Sequence, residues 1–377
     1  MSDEPIPLFE IDWAESDIEA VTDSIQRGGY WAKGPYVDTF EEELEAYLGV
    51  DHALVVNSGT TALVAALEGL GIGKGDEVIV PSFTFIATAN AVQLAGAEPV
   101  FADIERETYG LDPETVEGQI TDDTAAILPV HCYGAPCRIH DLATVANDHD
   151  VALLEDAAEG FGAEADGQML GTVGDAAALS FCQNKIVPTG EGGAVVTDDE
   201  EIARRVKLYR SHGRATEDYF DSASSGEYVA LGTNIRMSDM TAALGCSQLA
   251  RVEDLITGRQ RAADRYAEGF ATVEEVRPHR APEGGTHVHQ LYTVELAPEI
   301  DRGHVIETLV ERDISAKVYW DPPVHRTSFY RERGELPELP VTDEIAGRVL
   351  SVPMHPNLSE GEIERVVAGV EAAIETQ

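Results

Sequence analysis

The chain has 377 residues, enough to bury a large core and to divide into two domains, and its 43% hydrophobic and 25% charged content is that of an ordinary globular protein. Its charge is not ordinary: 26 Lys and Arg stand against 69 Asp and Glu, a net −43, which excludes a charge-driven grip on nucleic acid or on an anionic membrane. The acids are scattered rather than gathered into a tail, and lysine occurs at Lys33, Lys74, Lys185, Lys207 and Lys317 alone, a pattern suited to a protein kept soluble in concentrated salt.

The N-terminal run "MSDEPIPLFEIDWAESD" is acidic and lacks an apolar segment, so no signal peptide is expected. No run approaches the roughly 18 apolar residues of a membrane helix. Cys132, Cys137, Cys182 and Cys246 form no CxxC pair, so a reduced, cytoplasmic protein without a disulfide framework is the simplest expectation. From about residue 50 to 200, short β-branched runs read as buried strands: 53–56, 78–80, 99–101, 125–130, 151–155, 177–181 and 194–197. Segments with helical spacing, such as "TTALVAALEGL" and "FIATANAVQLA", lie between most of them, which predicts an α/β layer with a mostly parallel sheet. The last two strands are joined by a loop too short for a helix, so the sheet is expected to be mixed there.

The polar stretch 214–233 is long for a plain connection and reads as functional or mobile. A helical pattern follows from Ser238 to about Glu268, and "HVHQLYTVEL" (287–296) reads as the strand opening a smaller α+β domain. The expected division is a large domain over 1–250 and a small C-terminal domain over 251–377.

Three features carry chemistry. In "NSGTTALVAAL" a strand ends at Asn57 and a helix starts near Gly59 and Thr60; free N–H groups there, beside Ser and Thr hydroxyls, make a phosphate cradle, although an ordinary capped turn reads the same way. Asp156 lies just past the strand "VALLE", where α/β sheets bind ligands, and could keep a ring nitrogen protonated or simply cap a helix. Lys185 stands in "SFCQNKIVPTGEGGAVVT" (180–197) between apolar runs, five residues before a glycine cluster. A lone lysine usually snorkels to solvent. An apolar, glycine-lined site would instead lower its pKa and free the amine for Schiff-base chemistry. Cradle, acid and lysine in that order on one sheet together suit pyridoxal 5'-phosphate. No metal site is assigned.

Over nearly its whole length the chain resembles the DegT/DnrJ/EryC1/StrS aminotransferases, from "YWAKGPYVDTFEEELEAYLGVDHALVVNSGTTAL" through "LLEDAAEGFGAE" to "GTNIRMSDMTAALGCSQL" and "YWDPPVHRTSFY". The resemblance implies the type I pyridoxal-phosphate-dependent transferase fold and amine transfer from an amino acid, with L-glutamate expected, to a nucleotide-linked keto sugar. It implies that Lys185 carries the cofactor, that Asp156 pairs with the pyridine nitrogen, and that Gly59, Thr60 and Ser180 bind the phosphate. It places Phe85 against the cofactor ring, Asn234 at the phosphate of a partner subunit in a homodimer with shared active sites, and Tyr319 and His325 in the segment that meets the sugar nucleotide. Where most members carry Gln or His after "EDAA", this chain has Glu159 in the cofactor site. Members similar to perosamine synthases often share that Glu, which points toward a GDP-linked 4-keto-6-deoxyhexose. A dehydratase or other lyase on similar sugars, and a non-enzymatic cofactor-binding regulator, are the alternatives; the family's dehydratase branch replaces the lysine with His, and no DNA-binding segment is visible.

The surface charge yields one prediction. Dilution from roughly 1 M salt to about 0.1 M lengthens the Debye length from about 3 to about 10 Å, so carboxylate repulsion should lower the melting temperature and loosen cofactor binding. Unchanged melting and cofactor retention across that range would refute a salt requirement.

Overall fold

The computed structural model describes residues 4–216, 226–334 and 336–377. All seven strands read from the sequence form one sheet. They are β1 (His52–Val56), β2 (Glu77–Pro81), β3 (Glu98–Ala102), β4 (Thr124–Ile127), β5 (Ala152–Asp156), β8 (Ala176–Ser180) and β9 (Gly193–Thr197); a small hairpin of β6 (Glu164–Ala165) and β7 (Gln168–Met169) intervenes. The order across the sheet is β1-β9-β8-β5-β4-β2-β3. β9 runs antiparallel to β1 and β8, whereas β2–β3, β2–β4, β4–β5 and β5–β8 are parallel. The short connection after β8 thus gives a mixed, mostly parallel sheet.

Alternation along the strands sends residues to two cores. Val55, Ile79, Ile127, Leu153, Leu179 and Val196 join one apolar cluster, while Leu54, Val80, Ala126, Leu154, Ala178 and Val195 join the other. A sheet covered on both faces leaves its strand ends as the place for polar chemistry. Val56, Pro81, Asp156 and Ser180 all close strands at one such edge.

β10 (Val276–Pro278), β11 (Tyr292–Leu296) and β12 (Val349–Val352) form an antiparallel sheet, whose apolar cluster includes the helices Val252–Phe270, Arg302–Val310 and Glu360–Glu375. The N-terminal Ile6 also enters that cluster and bridges Ile314. Two local expectations change. The helical pattern from Ser238 divides into Asp239–Leu249 and Val252–Phe270, and the strand expected over 287–296 is confined to Tyr292–Leu296. His289 has φ 49°, outside the strand region, and residues 288–291 bond to the loop after β4 instead: Val288 N–H donates to Gly134 O at 3.0 Å and Leu291 N–H to Tyr133 O at 3.2 Å. Of the long stretch 214–233, residues 217–225 lie outside the described residues.

A buried pair underlies the loop that follows β4. Glu155 is fully buried and accepts from His131 Nε2 at 2.8 Å and from the N–H groups of Gly171, Val173 and Gly174. Burial opposes the charge on each partner. On His131 the nearby Cys137 and Glu155 outweigh it and raise the pKa to about 10; on Glu155 the His131 and backbone hydrogen bonds outweigh it and lower the pKa. Removing one member leaves the other buried and uncompensated, so Glu155→Ala should cost about 3–5 kcal/mol near pH 6. The sign follows from linkage: the carboxylate's share is present above its unfolded pKa and lost on acidification, and the imidazolium's is present below about pH 6.5 and lost as pH rises towards 10. Denaturant unfolding of both proteins at several pH values checks this, and a pH-independent difference would contradict the ion pair.

Candidate active site

Lys185 follows β8 on a turn in which its N–H donates to Cys182 O at 2.9 Å. Its Nζ donates to Glu159 Oε1 at 3.2 Å, with the two side chains only 14% and 11% exposed. The other oxygen, Glu159 Oε2, accepts the Tyr133 N–H at 2.9 Å. Glu159 therefore ties the lysine to the loop after β4, at a position where φ 60° already places Tyr133 in the left-handed region.

Asp156 ends β5 and is 5% exposed. Burial pushes its carboxyl pKa up, while the Thr88 hydroxyl (2.8 Å), the Ala158 N–H (3.2 Å) and the charge of Lys185 hold it down. A protonated ring nitrogen would supply the further donor and countercharge that such a buried carboxylate favours.

A helix starts where the sequence reading placed one. Ser58 caps the helix Gly59–Leu70 and accepts the Thr61 N–H at 3.2 Å, leaving Gly59 and Thr60 at its first turn. A Cβ on Gly59 would come within 2.8 Å of Ser180 Cβ, so glycine is what lets the helix start approach the end of β8. Gly193 of the glycine cluster does the same for β9, since a Cβ there would meet the Ser58 backbone at 2.6 Å.

Phe85 lies on the loop between β2 and the helix Ala87–Ala95 and is 59% exposed. The neighbouring Thr84 hydroxyl is 2.9 Å from Thr88 Oγ1, the group bonded to Asp156. An apolar ring left open next to the Thr84–Thr88–Asp156 chain fits a planar ligand better than a core.

The remaining expected residues are less tightly gathered. Asn234 is exposed and bridges Ser211, and the carbonyl of its neighbour Ile235 accepts the Asn57 N–H at 2.8 Å, which sets this segment beside the end of β1. Tyr319 is half-buried, and its carbonyl accepts the Tyr133 hydroxyl. His325 is 1% exposed: its Nδ1 and Ser82 Oγ are 2.6 Å apart, and Asp343 Oδ1 lies 3.6 Å from Nε2. It pins the 319–325 segment under the loop that carries Phe85.

Sequence reasoning missed Thr88, Tyr133 and Gln290. Thr88 sits inside a helical pattern with nothing to mark it. Tyr133 stacks on Trp320 with ring centroids 5.3 Å apart, and Gln290 Nε2 donates to Asn184 O at 2.6 Å, beside Lys185. Their roles arise from contacts between distant segments.

A buried acid and a lysine at one sheet edge, beside a capped helix start, are the arrangement of groups that suits a pyridoxal-phosphate enzyme of the aminotransferase fold. The family model described as "DegT/DnrJ/EryC1/StrS aminotransferase family" matches residues 12–371, and the chain belongs to that family of pyridoxal-phosphate-dependent aminotransferases. The GDP-perosamine synthase of Caulobacter vibrioides is 37% identical over 345 residues, covering 90% of this chain and 91% of that protein. The dTDP-3-amino-3,4,6-trideoxy-alpha-D-glucose transaminase of Micromonospora megalomicea is 34% identical over 373 residues, 97% of each chain. The crystal structure of S. venezuelae DesV in complex with a ketimine intermediate superposes with a TM-score of 0.91 at 35% identity, covering 98% of both chains.

The exposure of Phe85 yields a prediction. Phe85→Ala should leave the melting temperature of the cofactor-free protein nearly unchanged but weaken pyridoxal phosphate binding about three- to tenfold, the scale of one aromatic stacking contact. Equal losses in apoprotein stability and cofactor affinity would mark Phe85 as a packing residue instead.

Proposed function

We propose that this enzyme transfers the amino group of an amino acid, L-glutamate foremost, to the keto carbon of a nucleotide-linked sugar, with a GDP-linked 4-keto-6-deoxyhexose as the leading candidate. The observation that carries the reading is Lys185 held by Glu159 at 3.2 Å at the strand edge where Asp156 is buried. The candidate sugar is supported by Glu159 and by the likeness to GDP-perosamine synthase; the comparable likeness to a transaminase named for a dTDP sugar makes the nucleotide the point to test.

When bound, pyridoxal phosphate supplies a reactive carbonyl and an electron sink. The chain's residues do the rest. Gly59, Thr60 and Ser180 hold the phosphate, Asp156 keeps the ring nitrogen protonated, and Phe85 covers one face of the ring. Lys185 Nζ would hold the cofactor between turnovers, and its free amine would give and take the proton at the donor α-carbon. Glu159 fixes where that amine rests. The loop pinned by His325 brings Tyr319 over the same edge and limits water.

Incubation of the purified protein with glutamate and a panel of nucleotide-linked keto sugars, read by mass spectrometry, should show conversion of one carbonyl to an amine. Borohydride reduction and peptide mapping should place a pyridoxyl group on Lys185, and Lys185→Ala should slow turnover by at least about 10²–10⁴-fold. A label on Lys207 or Lys317, or water loss without amine transfer, would overturn the reading.

We further propose a cytoplasmic homodimer in which Asn234 completes the phosphate site of the second copy. Asn234→Ala should weaken cofactor binding roughly 10- to 100-fold, the value of a charge-assisted hydrogen bond. Mixing inactive Lys185→Ala with a severely impaired Asn234→Asp should restore up to half of the wild-type activity in each heterodimer. No recovery after verified subunit exchange would exclude a shared site.

A further inference from the structure

Glutamine is normally a surface residue, and a buried one is expected to satisfy both ends of its amide. Gln290 departs on both counts. It is 2% exposed, and its Oε1 is buried with no hydrogen-bond partner among the described residues. Its Nε2 donates to Asn184 O at 2.6 Å, a contact between segments 106 residues apart. Packing alone does not account for this side chain, because an apolar one of the same length would fill the space without desolvating an amide.

The accepting carbonyl belongs to the peptide that joins Asn184 to Lys185. The other end of that peptide is held as well, since the Lys185 N–H donates to Cys182 O at 2.9 Å. A peptide unit is planar, so fixing its oxygen and its N–H together fixes the plane from which the Lys185 side chain leaves. The Cys182 bond is local to the turn, whereas the Gln290 bond comes from a distant segment. Gln290 is itself anchored: its carbonyl accepts from Arg259 Nη1 at 3.4 Å, and the left-handed residue His289 precedes it.

The amine end of the lysine returns to the same place. Lys185 Nζ donates to Glu159 at 3.2 Å, Glu159 accepts the Tyr133 N–H at 2.9 Å, and the Tyr133 carbonyl accepts the Leu291 N–H at 3.2 Å. Backbone and amine of Lys185 are thus both referred to residues 290 and 291, which close a ring of hydrogen bonds around the lysine.

We propose that Gln290 is a positioning residue for Lys185: its amide N–H sets the 184–185 peptide so that Nζ stands where a cofactor carbonyl is presented. This rests on the reading that Lys185 carries the cofactor. A displacement of about 1 Å at a reacting group can cost on the order of 100-fold in rate, far more than the same displacement costs in stability.

The test compares wild type with Gln290→Met, which keeps the length and removes the donor, and with Gln290→His, whose ring can again present an N–H. Cofactor-free protein is mixed with pyridoxal phosphate. Covalent capture, in which the amine condenses with the aldehyde and one water leaves, is timed by borohydride quench and peptide mapping. Binding of pyridoxamine phosphate, which has no carbonyl to react, is titrated in parallel. Gln290→Met should slow capture at Lys185 by about 10- to 100-fold. Its affinity for pyridoxamine phosphate should stay within about twofold and its melting temperature within about 3 °C of wild type. Gln290→His should recover part of the capture rate. A matching loss of pyridoxamine phosphate affinity and melting temperature in Gln290→Met would overturn the inference and mark a packing residue. A wild-type label on another lysine would overturn the cofactor assignment and this inference together. A label on Lys185 with an unchanged capture rate in Gln290→Met would overturn this inference alone.

Discussion

A lysine amine that is mostly buried needs a counter-charge, and the architecture around Lys185 is arranged to provide one without trapping it. An ion pair removed from water gains Coulomb energy only if its remaining donors and acceptors are also satisfied. Glu159 meets that condition by sharing its two oxygens between Lys185 Nζ and the Tyr133 N–H. Asp156, the second carboxylate, is held apart by its own partners, Thr88 and Ala158. Two acids and one base therefore occupy one edge with separate tasks, fixed by which donor reaches which oxygen. This division depends on β5 and β8 being parallel neighbours, because only then do Asp156 and the turn to Lys185 leave the sheet on the same side.

The second apolar unit reaches this edge through a short strap. Residues 288–291 return hydrogen bonds to Tyr133, Gly134 and, through Gln290, to Asn184. Behind the strap, His287 and His289 stack with centroids 3.9 Å apart, and His279 Nδ1 lies 3.4 Å from His287 Nε2. Burial, and the nearness of other bases, push His279 to about 4 and His289 to about 3, so the rings pack as neutral aromatics near neutral pH. Tyr109 stacks on His279 at 4.7 Å, and Tyr133 meets the same ring edge-on. Aromatic packing thus links the loop that holds Glu159 to the strap beside Asn184, and the position of the lysine turn becomes a property of both units.

Much of this was legible in the sequence, for definite reasons. The seven strands could be read because each is a short, mostly apolar run, and the reversal after β8 because its connection is too short for a crossover. Asp156 and Gly59 could be picked out as candidates because each stands near a strand end, and Lys185 because it stands alone between apolar runs before a glycine cluster. The strap could not: "HVHQLYTVEL" has the composition of a strand throughout, and only the left-handed backbone at His289 and the carbonyls of Tyr133 and Gly134 take its first half out of the sheet. Likewise, Ser238 to Glu268 keeps one helical period across Ala250 and Arg251, where the helix breaks. Thr88 and Gln290 carry no local signal, since their importance lies in what distant segments bring to them. His325 was legible as a member of the segment near Tyr319, but its burial against Ser82 was not.

The scarcity of cations makes the choice between arginine and lysine informative at each buried site. Arg259 lies fully inside the second unit, where one Nη donates to the carbonyls of His289, Gln290 and Met354, and burial lowers its pKa only to about 10. Its planar fork suits several fixed acceptors, and its persistent charge suits a structural tie. Arg210 ties the end of the helix Glu200–Tyr209 to Glu41 and to the Val55 carbonyl in the same way. Neither task requires a proton to leave. For the role proposed for Lys185, after β8, the requirement is reversed: the amine would have to lose its proton to attack a carbonyl and regain it to move one, which a guanidinium does not do under these conditions. In that reading a chain that uses arginine for its structural cations keeps lysine at this position, and Glu159, which accepts from Nζ at 3.2 Å, would hold the amine until it is released.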